Sequence, residues 1–152
     1  MRDFFICIVF TDICFKSKII EQHFTFKKEE RLKSRKLIGQ LFKEGESFSN
    51  FPFRILYLFV NGGDHLQAGF TTSTKNFKKA VDRNRIKILM REAYRLNKNN
   101  LTDALKKANK LMAVFFIYTG NELPDYKDVE EKIQKALIRL NKITDENADA
   151  NT

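Results

Sequence analysis

Apolar residues along this chain change period several times, and each change predicts an element. Within 24–44, FTFKKEERLKSRKLIGQLFKE, Leu32, Leu37 or Ile38, Leu41 and Phe42 recur at roughly helical spacing. Ser34 is suited to accept the first orphan N–H groups of that helix, and Gly45 supplies its stop. From Phe51 to Val60 the period drops to two. Phe53, Ile55, Tyr57 and Phe59 take one face, and Arg54, Leu56, Leu58 and Val60 the other. A charged Arg54 predicts that the second face is only partly buried. Asn61-Gly62-Gly63-Asp64 reads as a turn, and 67–74, QAGFTTST, as a strand paired with the first in a hairpin. Ser47–Asn50 is a candidate short strand ahead of them.

Beyond it, 78–98 has helical spacing, and 101–110 is polar and either helical or looped. The run 111–118, LMAVFFIY, is continuously apolar over the length of a strand, the mark of a central strand covered on both faces. After a loop with Pro124, residues 127–143 form an amphipathic pattern with Val129, Ile133, Ala136, Leu137 and Leu140 inward. Residues 144–152 are polar and acidic and read as a disordered tail. The expected order is helix, three strands, helix, strand, helix. It implies an α+β two-layer sandwich with helices on a four-stranded sheet.

The chain ends are less patterned. Phe4–Phe10 is apolar but too short to span a bilayer. Asp3 and Asp12 flank it, and no small-residue cleavage site follows. Residues 1–23 are read as an extension, either lying against the domain or disordered; 24–143 as the folded domain; 144–152 as the tail. Cys7 and Cys14 make no disulfide framework and no zinc motif, which points to a reducing cytoplasm.

Charge changes the picture most. The 152 residues carry a formal +9. Between Lys75 and Lys98 stand nine Lys or Arg against Asp82 and Glu92, a net +7 of that total. Lys79, Arg83, Lys87, Arg91 and Arg95 follow one another at four-residue steps, with Asn84 beside them. They are expected along one edge of the helix, opposite Ile86, Leu89, Ala93 and Leu96. Like charges at that spacing cost about 0.2–0.5 kcal/mol per pair, so the stripe costs on the order of 1–2 kcal/mol. A merely solvated helix interleaves signs. This one does not, and arginine's planar fork suits phosphate oxygens. A polyanion is the implied partner.

These residues carry a resemblance. Ala80-Val81-Asp82-Arg83-Asn84-Arg85-Ile86-Lys87, followed by Arg91-Glu92-Ala93-Tyr94-Arg95, closely resembles the "RNR" signature of the bacterial ribonuclease P protein family. Lys28–Ser34 and Leu41–Gly45 resemble that family's first helix; Phe53–Tyr57 and Gly69–Ser73 resemble its strands. The similarity covers about residues 24 to 140. It implies a left-handed βαβ crossover, opposite to the usual prior. It implies a protein that binds a large catalytic RNA, and a complex that removes the 5′ leader of precursor tRNA. Magnesium would be held mainly by RNA. The implied RNA-binding residues are Lys75, Lys78, Lys79, Arg83, Asn84, Arg85, Lys87, Arg91 and Arg95. The implied leader cleft comprises Ile38, Phe42, Arg54, Leu56 and Thr71, with Phe42 placed to stack on a base. Ile88 and Thr74 stand where the family more often has basic residues.

Nothing in the sequence suggests chemistry by the chain itself. His23 and His65 lack any nucleophile motif, Asp82 and Glu92 read as charge compensation, and no glycine-rich nucleotide loop occurs. A structural RNA-binding module, such as a ribosome-associated protein, is the alternative. It would share the basic helix and need no groove for single-stranded RNA. Binding to a membrane surface is a third reading, weakened by the helix's ordinary apolar face.

Overall fold

The computed structural model describes residues 25–60 and 66–149. The extension at 1–23, both cysteines, both histidines and the Asn61–Asp64 turn lie outside the described residues. The elements run α1 (Arg35–Glu44), β1 (Glu46–Asn50), β2 (Phe53–Val60), β3 (Leu66–Thr72), α2 (Ala80–Asn97), α3 (Asn99–Ala108), β4 (Leu111–Tyr118) and α4 (Tyr126–Asp149). Four strands form one mixed sheet in the order β1-β2-β4-β3, so the architecture is α+β. No helix among the described residues is long and apolar enough to cross a membrane.

Local chemistry sets the ends of α1. Ser34 Oγ accepts from the Leu37 N–H at 3.4 Å, and the Gly45 N–H closes the last turn on Leu41 O at 3.1 Å. The chain then enters β1, which pairs antiparallel with β2 from Glu46↔Tyr57 to Asn50↔Phe53.

The expected hairpin between the strands at 53–60 and 66–72 does not form. β4 lies between them, antiparallel to β2 and parallel to β3. The reason is burial. β4 has the most continuous apolar run, and only a central position covers both of its faces. Met112, Val114, Phe116 and Tyr118 pack toward the large core with α2, α3 and α4. Ala113, Phe115 and Ile117 pack toward α1. The strand faces of β2 follow the alternation in the sequence: Phe53, Ile55, Tyr57 and Phe59 join the large core, while Leu56 and Leu58 join the smaller one.

One open reading is settled and one expectation is overturned. The segment after α2 forms α3, ending at Asn109 in a left-handed conformation (φ 51°). The acidic 144–149 stretch is not a tail, because α4 continues to Asp149. Thr144 is buried at 1% exposure and donates its hydroxyl to Leu140 O at 2.9 Å. Lys110 Nζ donates to Asn147 O at 3.0 Å, tying that last turn to the start of β4. A polar composition hides these tertiary partners.

The segment before α1 straps the open edge of β3. Ala68 N–H donates to Glu30 O (2.8 Å) and Leu32 N–H to Ala68 O (3.0 Å). Phe26 meets Phe70 and Tyr94 edge-on, at 5.9 and 5.6 Å between centroids. Lys98, 3% exposed, binds the Glu30 carboxylate and Thr25 O. A buried lysine is tolerable because it is paired. This strap sets where α1 begins and therefore how α1 lies over the sheet.

Candidate nucleic-acid interface

The helix α2 docks through Ile86, Met90, Ala93 and Tyr94, all buried, with Leu89 packed at the margin of the core. Each fully buried side chain of this size contributes about 1.5–3 kcal/mol, well above the cost of the charged stripe. Tyr94 sits among Phe26, Phe70 and Phe116, and burial pushes its phenol well above the ordinary tyrosine range. The expected docking face of Ile86, Leu89, Ala93 and Leu96 is therefore rotated: Met90 and Tyr94 belong at its centre, while Leu89 and Leu96 are half-buried.

That rotation corrects the charged stripe as well. A four-residue step advances about 40° around a helix, so the series from Lys79 to Arg95 winds through about 160°. It does not follow one edge. Arg83, half-buried in the first turn, folds back, and its Nη1 donates to Phe77 O (2.8 Å) and Lys78 O (2.7 Å). Lys87 is also half-buried. Arg95 binds Glu92 through Nε (3.0 Å) and Nη2 (2.5 Å). That pair lowers the Glu92 carboxyl and raises the Arg95 guanidinium. The residues turned outward are Asn84, Arg85, Ile88, Arg91 and Glu92, with Val81 above them. Arg85 and Arg91 stand on either side of Ile88, each about 60° away around the axis. Lys75, Lys78 and Lys79 are exposed where the β3–α2 loop meets the helix.

The second candidate surface is the sheet face that carries α1. Cross-strand registers place Ser49, Arg54, Ile117 and Thr71 in one row across all four strands. The row beside it contains Ser47, Leu56, Phe115 and Gly69. Leu56, at 5% exposure, lies beneath α1 with Leu32, Leu41 and Ala113 and forms the floor. Ile38 is half-buried against the same cluster. Phe42 is different. It is 52% exposed, with its ring edge-to-face on Phe115 at 5.5 Å. Arg54 is exposed and Thr71 half-buried at the open part of the face. Together they line a groove-like strip of the sheet face left partly open beside α1, with Phe42 and Phe115 as an aromatic wall, Leu56 beneath and Arg54 exposed.

Phe115 and Ile117 are residues that sequence reasoning missed for this groove. The signal was present, since alternation along β4 puts both on one side; the pairing partner was wrong. Gly69 is needed beneath Phe115, because a Cβ there would collide with the Phe115 ring. A separate depression of about 780 Å³ lies between the Phe51-Pro52 turn and the start of α4. Glu122, Asp125 and Asp128 line it against Lys132 alone, a net negative lining that disfavours phosphate. Among the described residues, no group of three or more His, Cys, Asp or Glu could hold a metal ion.

Known proteins share both the fold and the sequence pattern. The family model described as Ribonuclease P matches residues 26–141. A ribonuclease P protein component from Porphyromonas gingivalis (strain ATCC 33277) is 40% identical over 121 residues, covering 77% of this chain and 87% of the relative. One from Clostridium botulinum (strain Langeland) is 36% identical over 113 residues, covering 74% and 92%. The solved RNase P protein from Thermotoga maritima superposes with a TM-score of 0.59 at 31% identity, over 72% of this chain and 96% of that one. A Staphylococcus aureus RNase P protein structure, at 21% identity and a TM-score of 0.56, supports the fold; it covers 76% of this chain and 97% of its own. With the family match spanning most of its length and relatives at this identity, the chain belongs to the ribonuclease P protein family.

Proposed function

We propose that this chain works as the protein subunit of ribonuclease P by gripping two stretches of RNA at once. The outward face of α2, with Arg85, Arg91 and Asn84, binds the catalytic RNA. The loop lysines Lys75, Lys78 and Lys79 extend that contact. The groove of Phe42, Phe115, Arg54 and Thr71 holds the single-stranded 5′ leader of precursor tRNA. Endonucleolytic removal of the leader then produces the mature tRNA 5′ end. Hydrolysis is assigned to the RNA subunit and to Mg²⁺ that the RNA holds, and the site of action is the cytoplasm.

The half-exposed Phe42 ring on the α1 face of the sheet is the observation that carries this reading. A half-exposed Phe42 against Phe115 offers a stacking platform, and base–aromatic stacking is worth about 1–3 kcal/mol per base without regard to sequence. Arg54 supplies one cation for the backbone that such a base drags along. A purely structural RNA-binding module has no use for a second, aromatic surface on the sheet face opposite its basic helix.

Reconstitution tests it. The full chain is mixed with a bacterial ribonuclease P RNA and precursor tRNA at low magnesium. Stimulated cleavage at the leader junction is expected. A folded chain that binds the RNA and leaves cleavage unstimulated would overturn the proposal in favour of the structural module.

A further inference from the structure

The loop between β3 and α2 holds three exposed lysines, yet it is held from both sides. Phe77 is 6% exposed, and its ring lies 5.9 Å from Tyr118. Its N–H donates to Ser73 O at 3.2 Å. Asn76 Nδ2 reaches across to Thr119 O (2.9 Å) and Gly120 O (3.1 Å). From the helix side, a single nitrogen of Arg83 takes both Phe77 O and Lys78 O. The two carbonyls belong to the peptides immediately preceding Lys78 and Lys79.

A guanidinium in the first turn of a helix faces the positive end of the dipole, an unfavourable place for a cation. Lys79, the N-cap, contributes no side-chain capping bond. Arg83 is stable there because its charge is spent on two carbonyl oxygens in short, charge-assisted bonds. Those same bonds occupy Nη1 and turn the side chain toward the protein. A phosphate ligand must present its fork outward, as Arg85 and Arg91 can from exposed positions.

Resting on the RNA-binding reading above, we propose that Arg83 is a positioning residue: it acts on RNA through the loop lysines it orders and makes no phosphate contact of its own. The signature's first arginine and its second then have separate tasks, although the sequence writes them identically.

A double-mutant cycle separates the two roles. Affinity for ribonuclease P RNA is measured against KCl concentration for four chains: wild type, Arg83→Ala, Lys75→Ala/Lys78→Ala/Lys79→Ala, and the combination. Circular dichroism melting selects conditions under which each is folded. Arg83→Ala should weaken binding about tenfold in the wild-type background and less than about twofold once the lysines are gone, the coupling expected of groups acting as a unit. Equal losses in both backgrounds, with the salt slope falling by about one unit each time, would mean a direct phosphate contact and overturn the proposal. Asn76→Ala, which loosens the other side of the loop without touching α2, should show the same coupling; additive behaviour there also counts against it. Wild-type protein without salt-dependent affinity for the RNA would overturn the RNA-binding reading itself, so the two failures are distinguishable.

Discussion

The outward face of α2 and the groove beneath α1 are both open to a polynucleotide, but they are made of different materials. On α2 the recognition groups are charges. Arg85 and Arg91 flank an exposed Ile88 (61%), with three lysines at the helix entrance. In the groove they are surfaces: an aromatic wall of Phe42 on Phe115, a floor of Leu56, and Arg54 as the single exposed cation named there. Charge reads phosphate, and therefore any nucleic acid, with a strength that salt sets. Stacking reads unpaired bases and responds little to salt. On the function proposed above, the first surface serves a folded RNA and the second a loose single strand.

Breaking the charged side should give the largest effect. Arg85→Ala combined with Arg91→Ala should lower affinity for ribonuclease P RNA on the order of tenfold to a hundredfold and reduce the salt slope by about two units. Filter binding across a KCl series measures both, and a slope unchanged by the double substitution would remove α2 from the interface. Phe42→Ala should act next, and selectively. Precursor tRNA with a leader should bind the holoenzyme about tenfold more weakly, within the range of one lost base stack, while leaderless tRNA is unaffected and the slope stays constant. Equal weakening of both substrates would show that Phe42 only supports the fold. The smallest change is expected from Glu92→Gln. Removing the carboxylate that binds Arg95 should tighten RNA binding about two- to threefold, the scale of an exposed ion pair, and steepen the salt dependence. Weaker binding would mean that Glu92 orients Arg95 for its contact.

The two surfaces also differ in how far they could be read from residues alone. The basic character of 75–98 is a matter of composition, and no folding can hide it. Its geometry was harder. A series at four-residue steps looks like a stripe on paper, yet the true period of 3.6 carries it around the rod, and Met90 and Tyr94 mark where the docking face lies. Arg83 could not be told from Arg85 by residue type; only the carbonyls of Phe77 and Lys78 separate them. In the groove, Arg54 was legible as a charge on an otherwise apolar face, whereas Phe42 belonged to the apolar helical pattern and entered the cleft only through the family resemblance. Phe115 and Ile117 were not, because membership depends on which strand stands beside β2. For Leu56, alternation gives the face, but only the placement of α1 shows that it is covered.

By itself, the sequence determined the local elements and the sign of the partner. Ser34 and Gly45 delimit α1, alternation defines the faces of β2, the unbroken apolar run marks β4 as central, and the excess of arginine and lysine calls for a polyanion. These follow from interactions within a few residues or from sums over the chain. Tertiary structure decided the strand order, the extension of α4 through Asp149 and which cations turn back onto the protein. The first two depend on a partner far away in sequence: β4 inserting between β2 and β3, and Lys110 meeting Asn147. The third is closer, with Arg83 folding back five and six residues onto Lys78 O and Phe77 O, and it depends on how the loop is held against β4 and the turn after it. Such contacts have no periodicity to read, since they exist only when the layers close.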